Sequence, residues 1–237
     1  MKRIPGSLIV IATYNEMANL PRLIERLYEL MPDTSVVVVD DNSPDGTWKW
    51  VRDATAEFPS LNLIHRIDER GLGSATMAGL KFGLENGFEW IGTMDADFSH
   101  DPESLSQMFD VAGEGGFDVV IGSRYVKGGG IDGWPMYRRL TSRMVNALAR
   151  IWLGLKTRDN TGALRVYRAN VLRELELGSI RSGGYAYLEE VLMRLQRTGA
   201  KVVEHPITFR DREGGKSKAG IRVGIAVICE ILMMRFR

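Results

Sequence analysis

Short apolar runs alternate with helically spaced segments through the first half of the chain. Leu8 to Ala12 reads as a strand, and Leu20, Leu23, Ile24, Leu27 and Leu30 then recur at helical spacing, with Pro21 near the start where a helix accepts proline. Val36 to Val39 predicts a second strand, with its helix from Trp48 to Phe58. Asn62 to Ile67 reads as a third strand, and Gly73 to Glu85 as a helix that Gly87 is placed to end. Glu89 to Met94 is a fourth, and Asp101-Pro102 joins an N-cap to a proline at the first helical position. Phe117 to Gly122 is a further strand. This alternation predicts an α/β fold, a mostly parallel sheet with helices on both faces. With no repeat, low-complexity tract or linker, one domain is expected.

The texture changes from Lys127. Gly128-Gly129-Gly130 and Gly133-Trp134-Pro135 form a loop, followed by a helix with Leu140, Val145, Leu148, Ile151 and Trp152 among Arg138, Arg139, Arg143 and Arg150. Arginines amid apolar residues are either a solvated face or an anion site. Their place after a glycine loop at the sheet edge adds weight to the second, because a guanidinium fork holds two phosphate oxygens at once. Ile221 to Phe236 is rich in Ile, Val, Leu and Met but broken by Arg222, Glu230 and Arg235, too short and too charged to span a bilayer. It reads as an amphipathic helix lying on a membrane or packed on the core.

Composition narrows the class. The 237 residues are 44% hydrophobic and 26% charged, with 31 basic against 30 acidic side chains for a net charge of +1. That balance argues against a nucleic-acid binder acting through whole-surface charge. Cys229 is the one cysteine, so no internal disulfide or cysteine-rich zinc site can form, which fits a reducing compartment. The opening Met1 to Gly6 turns polar too quickly for a signal peptide, so a cytoplasmic location is expected.

Chemistry concentrates where strands end. Asp95 and Asp97 follow the apolar run Trp90, Ile91, Met94; on a strand, residues two apart face the same way, so both carboxylates can reach one cation. A second acidic knot, Asp40-Asp41-Asn42-Ser43-Pro44-Asp45-Gly46, follows Val36 to Val39. Ligands of open α/β sheets bind beside such ends. An oxygen-rich pocket there suits Mg or Mn carrying a phosphorylated ligand. A third knot, Arg210 to Lys218 after the apolar-rich Val202 to Phe209, holds glycines and cations that either fold over a diphosphate or form a surface turn. His65, His100 and His205 are too scattered for a metal site, although His100 lies close to the acidic pair. Trp134 and Tyr137 read as lipid-path aromatics or as packing beside a proline turn.

Thr13-Tyr14-Asn15-Glu16, the run from Asp40 to Thr47, Gly71-Leu72-Gly73, the run from Asp95 to His100, Gly122-Ser123-Arg124-Tyr125 and Gly215-Lys216-Ser217-Lys218 occur in order over essentially the whole chain. Together they resemble the dolichyl-phosphate mannose synthases of glycosyltransferase family 2. The resemblance implies a single GT-A domain, with residues 1–125 binding nucleotide sugar and metal and 126–237 meeting acceptor and membrane. It also implies inverting transfer of mannose from GDP-mannose to dolichyl or polyprenyl phosphate with a divalent metal.

Carried over by position, Tyr14, Glu16, Val39 and Asp41 hold the guanosine end, with Ala12 where the family usually has proline. Asp95, Ala96 and Asp97 form the metal motif; Ser99 stands where some members place a glutamine ligand, so water is expected to substitute. Arg124, Arg212 and Lys218 match residues around the donor diphosphate and acceptor phosphate, and Arg138 and Ser142 an acceptor-phosphate pair. Leu188 replaces a common glutamine, and neither Glu189 nor Glu190 is given a catalytic role.

Metal and cations would stabilise charge on the departing nucleotide. A phosphate monoester already carries roughly 1.5 to 2 negative charges at neutral pH, so it needs positioning rather than a base. A polyprenyl acceptor requires work at a membrane surface, here the cytoplasmic face, through the helix from Pro135 and the helix from Ile221, with or without an anchoring subunit. A dinucleotide oxidoreductase is disfavoured because no Gly-x-Gly-x-x-Gly turn follows the first strand. A family 2 transferase using UDP-glucose is the main competitor, and a lipid-phosphate-binding scaffold the non-enzymatic one.

Overall fold

The computed structural model describes residues 6–182, 184, 186–211 and 221–235. Seven strands form the main sheet in the order β3-β2-β1-β4-β7-β5-β8. They are β1 (Ser7–Thr13), β2 (Ser35–Asp40), β3 (Leu61–His65), β4 (Trp90–Met94), β5 (Val119–Ser123), β7 (Arg165–Arg168) and β8 (Val202–Pro206). All neighbours run parallel except β7, which is antiparallel to both β4 and β5. A two-stranded parallel sheet of β6 (Gly130–Ile131) and β9 (Thr208–Phe209) ties the loop after β5 to the segment after β8.

Between the half-exposed edge strands β3 and β8 the strands are buried on both faces, and alternate residues feed two cores. Leu8, Val10, Val37, Val39, Val119 and Ile121 face one layer, with α3 (Leu72–Glu85), α5 (Met136–Leu153) and α7 (Tyr187–Arg197). Ile9, Ile11, Val36, Val38 and Val120 face the other, with α1 (Leu20–Leu30), α2 (Thr47–Ala54) and α4 (Pro102–Gly113). On α1 the buried residues are Leu20, Leu23, Ile24 and Leu27, the helical period read from sequence. The Asp101 carboxylate accepts the Glu103 N–H at 3.0 Å and caps α4 as expected. Gly87 ends α3 at φ +75°, and the Phe88 N–H returns to the Gly83 carbonyl at 3.1 Å.

Several boundaries differ from the sequence reading. The helix expected over 48–58 stops at Ala54, and the strand expected from Phe117 begins at Val119. The short helix α6 (Ala169–Arg173), β7 and α7 were not foreseen. The last helix, α8 (Ile221–Met234), packs on α5 and α7, burying Ile231 and Met234 while Leu232 and Met233 stay exposed. Core packing is thus the role the structure displays for its inner residues.

Candidate active site

The sheet order reverses at β1, with β2 and β3 on one side and β4 on the other. Ligands of open α/β sheets occupy the crevice outside such a switch point. Register places Met94 opposite Ile11 and Asp40 opposite Thr13, so the segments continuing from Tyr14, Asp41 and Asp95 emerge together.

The first wall is stitched by side chains capping backbone. The Asn15, Glu16 and Met17 N–H groups donate to Ser43 Oγ (2.9 Å), Thr47 Oγ1 (3.1 Å) and Asp45 Oδ2 (3.0 Å). Asp40, expected in an acidic knot facing the pocket, instead turns inward. It is fully buried and accepts Thr13 Oγ1 (2.8 Å), Ser43 N (2.8 Å) and Ser43 Oγ (2.6 Å). Asp41 is also engaged: Oδ1 accepts Arg66 Nε at 2.7 Å and Oδ2 accepts the Gly71 N–H at 2.8 Å. It therefore fixes the loop entering α3. Tyr14 lies against the Arg70 guanidinium, 5.1 Å from its ring centroid, and Ala12 and Glu16 are half-buried. The Val39 side chain is sealed in the core and presents no surface of its own.

Asp95 and Asp97 are not on a strand. β4 ends at Met94, and the chain bends through Phe98, whose φ of +57° is costly for a bulky residue. Asp97 is buried and accepts the Ser99 N–H at 3.1 Å, whereas Asp95 is one-third exposed, at 33%. Ala96 between them packs into the core. His100 Nδ1 lies 3.7 Å from Asp95 Oδ2. Burial pushes the His100 pKa down to about 4, with Asp97 opposing and Arg124 assisting, so the imidazole is neutral at physiological pH. Ser99 Oγ and His100 Nδ1 are buried and have no hydrogen-bond partner among the described residues. Among the described residues no three His, Cys, Asp or Glu side chains form a metal-holding group. The carboxylate pair with the orphaned Ser99 hydroxyl nevertheless fits a hard divalent ion that shares its shell with water and phosphate oxygens.

The opposite wall carries cations. Arg124, just after β5, is buried and forked onto Asp159, with Nε to Oδ2 and Nη2 to Oδ1 both at 2.7 Å. Its N–H donates to the same carboxylate at 3.0 Å, and Nη2 reaches Thr161 Oγ1 at 2.7 Å. Burial works against the Arg124 charge, but attraction and hydrogen bonding to Asp159 outweigh it and raise the pKa. Asp95 is near enough to add to that effect. Arg138 on α5 pairs with Asp211 at 3.3 Å, and Ser142, one turn on, accepts the Tyr125 hydroxyl at 2.7 Å. Arg124, Arg138 and Ser142 thus lie near one another around Tyr125 and Trp134, while Arg212 and Lys218 lie outside the described residues.

Asp159, Asn160, Thr161 and Arg165 were missed in sequence. Arg165 is fully buried and donates to the carbonyls of Gly162 (2.9 Å), Leu188 (2.8 Å) and Asn160 (2.6 Å), holding the Asp159 loop from below. An arginine inside the apolar run Ala163-Leu164-Arg165-Val166-Tyr167 was the available signal, since a buried charge demands partners.

Glu189 is buried on α7, with Oε2 unpartnered among the described residues. Burial pushes its pKa up to about 7; its own backbone N–H and Arg165 oppose this, while Asp159 adds to it. A folded-state pKa above the unfolded value means the native state holds the extra proton between them, so stability falls as pH rises from about 4.5 to 7. Glu189→Gln is expected to melt with wild type near pH 5 and to gain on the order of 1 kcal/mol or more at pH 8. Thermal denaturation at the two pH values checks this.

Residues 8–176 match the profile of glycosyl transferase family 2. The chain is 44% identical over 222 residues to an undecaprenyl-phosphate mannosyltransferase of Micrococcus luteus, covering 93% of this chain and 90% of that one. It is 41% identical over 213 residues to a polyprenol monophosphomannose synthase of Mycolicibacterium smegmatis, covering 90% and 80%. The fold is similar to that of glucosyl-3-phosphoglycerate synthase from Mycobacterium tuberculosis, solved with Mn2+, UDP and phosphoglyceric acid (TM-score 0.73, 16% identity, 98% of this chain and 78% of that one). A mannosyltransferase from Pyrobaculum calidifontis, solved with GDP-Man and Mn2+, also matches (TM-score 0.61, 16% identity, 98% and 73%).

Proposed function

The chain belongs to glycosyl transferase family 2, and we propose that it moves mannose, with inversion, from GDP-mannose to a polyprenyl phosphate, yielding polyprenyl-phosphate mannose. The observation that carries this reading is a carboxylate pair, of which Asp95 bears on the Arg124 charge, beside a cluster in which Trp134 meets Arg124 and Arg138 and Tyr125 joins Arg124 to Ser142. The first suits a metal-bound nucleotide diphosphate, the second an anionic acceptor.

Asp95 and Asp97 would hold Mg or Mn, which when bound supplies electrophilic assistance to the departing diphosphate. Tyr14, Glu16 and the Asp41-anchored loop border the nucleoside end. Ala12, Val39 and Ala96 contribute backbone or wall rather than reactive groups, and Arg212 and Lys218 are assigned to the phosphates from their sequence match. An acceptor-phosphate oxygen attacks the sugar C1, the bond from C1 to the diphosphate oxygen breaks, and its electron pair leaves with GDP. The acceptor oxygen is already anionic, so no side chain need remove a proton. Arg124, secured by Asp159, together with Arg138 and Ser142, orients it in line.

A lipid acceptor places the protein peripherally on the cytoplasmic face of a membrane. Among the described residues no helix is long and apolar enough to cross one. Instead α5 exposes Met136, Tyr137, Leu140, Met144 and Ile151 along one stripe, flanked by Arg143 and Arg150. Such a helix can lie at a lipid interface. Leu140→Glu with Met144→Glu is expected to lower flotation with anionic vesicles at least several-fold while leaving thermal stability near wild type, because both side chains already face solvent.

The functional test supplies radiolabelled GDP-mannose or UDP-glucose with polyprenyl phosphate and Mg or Mn, then counts label extracted into organic solvent. Chelator-sensitive label from GDP-mannose alone is expected. Label from UDP-glucose alone would move the protein to a glucosyl branch, and label from neither would overturn the transferase reading.

A further inference from the structure

Trp134 places an unsatisfied donor among the arginines of the acceptor wall. Its side chain is buried, with the residue 9% exposed, and Nε1 has no hydrogen-bond partner among the described residues. The residue is held from several sides. Its carbonyl accepts Arg139 Nε at 3.0 Å, Pro135 follows in extended conformation as the cap of α5, and the ring meets Phe209 edge-on at 5.2 Å.

The Arg138 guanidinium carbon lies 3.9 Å from the indole centroid and that of Arg124 lies 5.7 Å away, so one ring serves both cations. The aromatic face offsets part of their repulsion. Arg124 also pairs with Asp159 and Arg138 with Asp211. Native proteins seldom leave a buried N–H unpaired, because its lost hydration is not repaid. An indole nitrogen donates and cannot accept, so its missing partner is an acceptor. Flanking guanidiniums specify that the acceptor is anionic.

We propose that the Trp134 indole N–H donates directly to an oxygen of the acceptor's phosphate, while the ring holds Arg138 for the same anion. This rests on the acceptor being a prenyl phosphate, as proposed above. The donor diphosphate presents the same oxygen chemistry, but Arg138 and Ser142 share α5 with Trp134 at its entrance, so the acceptor is the assigned source.

The test uses full-length protein labelled with nitrogen-15 at its five tryptophans, the Trp134 indole signal being assigned by its loss in Trp134→Phe. Farnesyl phosphate is expected to move that signal downfield and saturably, whereas farnesol or GDP alone leaves it in place. Trp134→Phe retains an aromatic ring for Arg138 and removes the donor, together with part of the indole's bulk. It is expected to raise KM for prenyl phosphate by about tenfold or more, with KM for GDP-mannose nearly unchanged. A ring that merely packs on Phe209 would give no such split. Should Trp134→Phe fail to fold, Trp134→Tyr supplies the assignment and the wild-type titration still decides. The inference is overturned by a stationary signal under turnover of farnesyl phosphate, by an unchanged acceptor KM, or by a shift produced by GDP alone. If farnesyl phosphate shifts the signal but no mannosyl lipid forms, the phosphate contact stands and the transferase reading fails.

Discussion

Asp97→Asn is expected to reduce mannosyl transfer by about two to three orders of magnitude, the scale for removing one preorganised electrostatic contact from a transition state. The substitution is chosen because Asp97 Oδ1 accepts the Ser99 N–H at 3.1 Å, and an asparagine carbonyl can keep that bond and the bend through Phe98. What disappears is the charge. Asp97 is buried and Asp95 is one-third exposed, so Asp97 forms the less solvent-screened half of the pair. Initial rates at saturating metal and GDP-mannose, with melting within a few degrees of wild type, are the measurement. Near-normal turnover would remove Asp97 from the cation site.

The second large effect is structural. Asp159→Ala is expected to destabilise the fold by about 3–5 kcal/mol, because it strands the buried Arg124 guanidinium that Asp159 grips through both carboxylate oxygens. It also removes the acceptor of the Arg124 N–H. Stabilities of single domains are about 5–15 kcal/mol, so a large fraction is at stake. At roughly 2–4 °C per kcal/mol for a chain of this size, the melting temperature should fall by on the order of 10 °C. Asp159→Asn, which keeps one acceptor, should fall less. A shift of under about 2 °C for Asp159→Ala would show that Arg124 does not depend on the clamp.

Both predictions turn on loops, where sequence and structure part company. The valine and isoleucine runs of β1, β2 and β5 announced strands because period-two burial on two faces requires unbroken apolar sequence. The periods of α1 and α3, the cap at Asp101 and the stop at Gly87 are likewise local physics. β7 was invisible because buried Arg165 interrupts its apolar run, and its antiparallel insertion between β4 and β5 has no local cause.

The sequence by itself determined the α/β alternation, the strand ends where ligands gather, the Asp95-Asp97 pair and the arginines of α5, since each depends on near neighbours in the chain. Tertiary structure alone decided what those groups do there. It turned Asp40 inward, tied Asp41 to Arg66 and Gly71, and set Trp134 against both Arg124 and Arg138. It also brought Asp159 to Arg124 across 35 residues. A carboxylate's role depends on which donor reaches it first, and the packing of distant elements decides that.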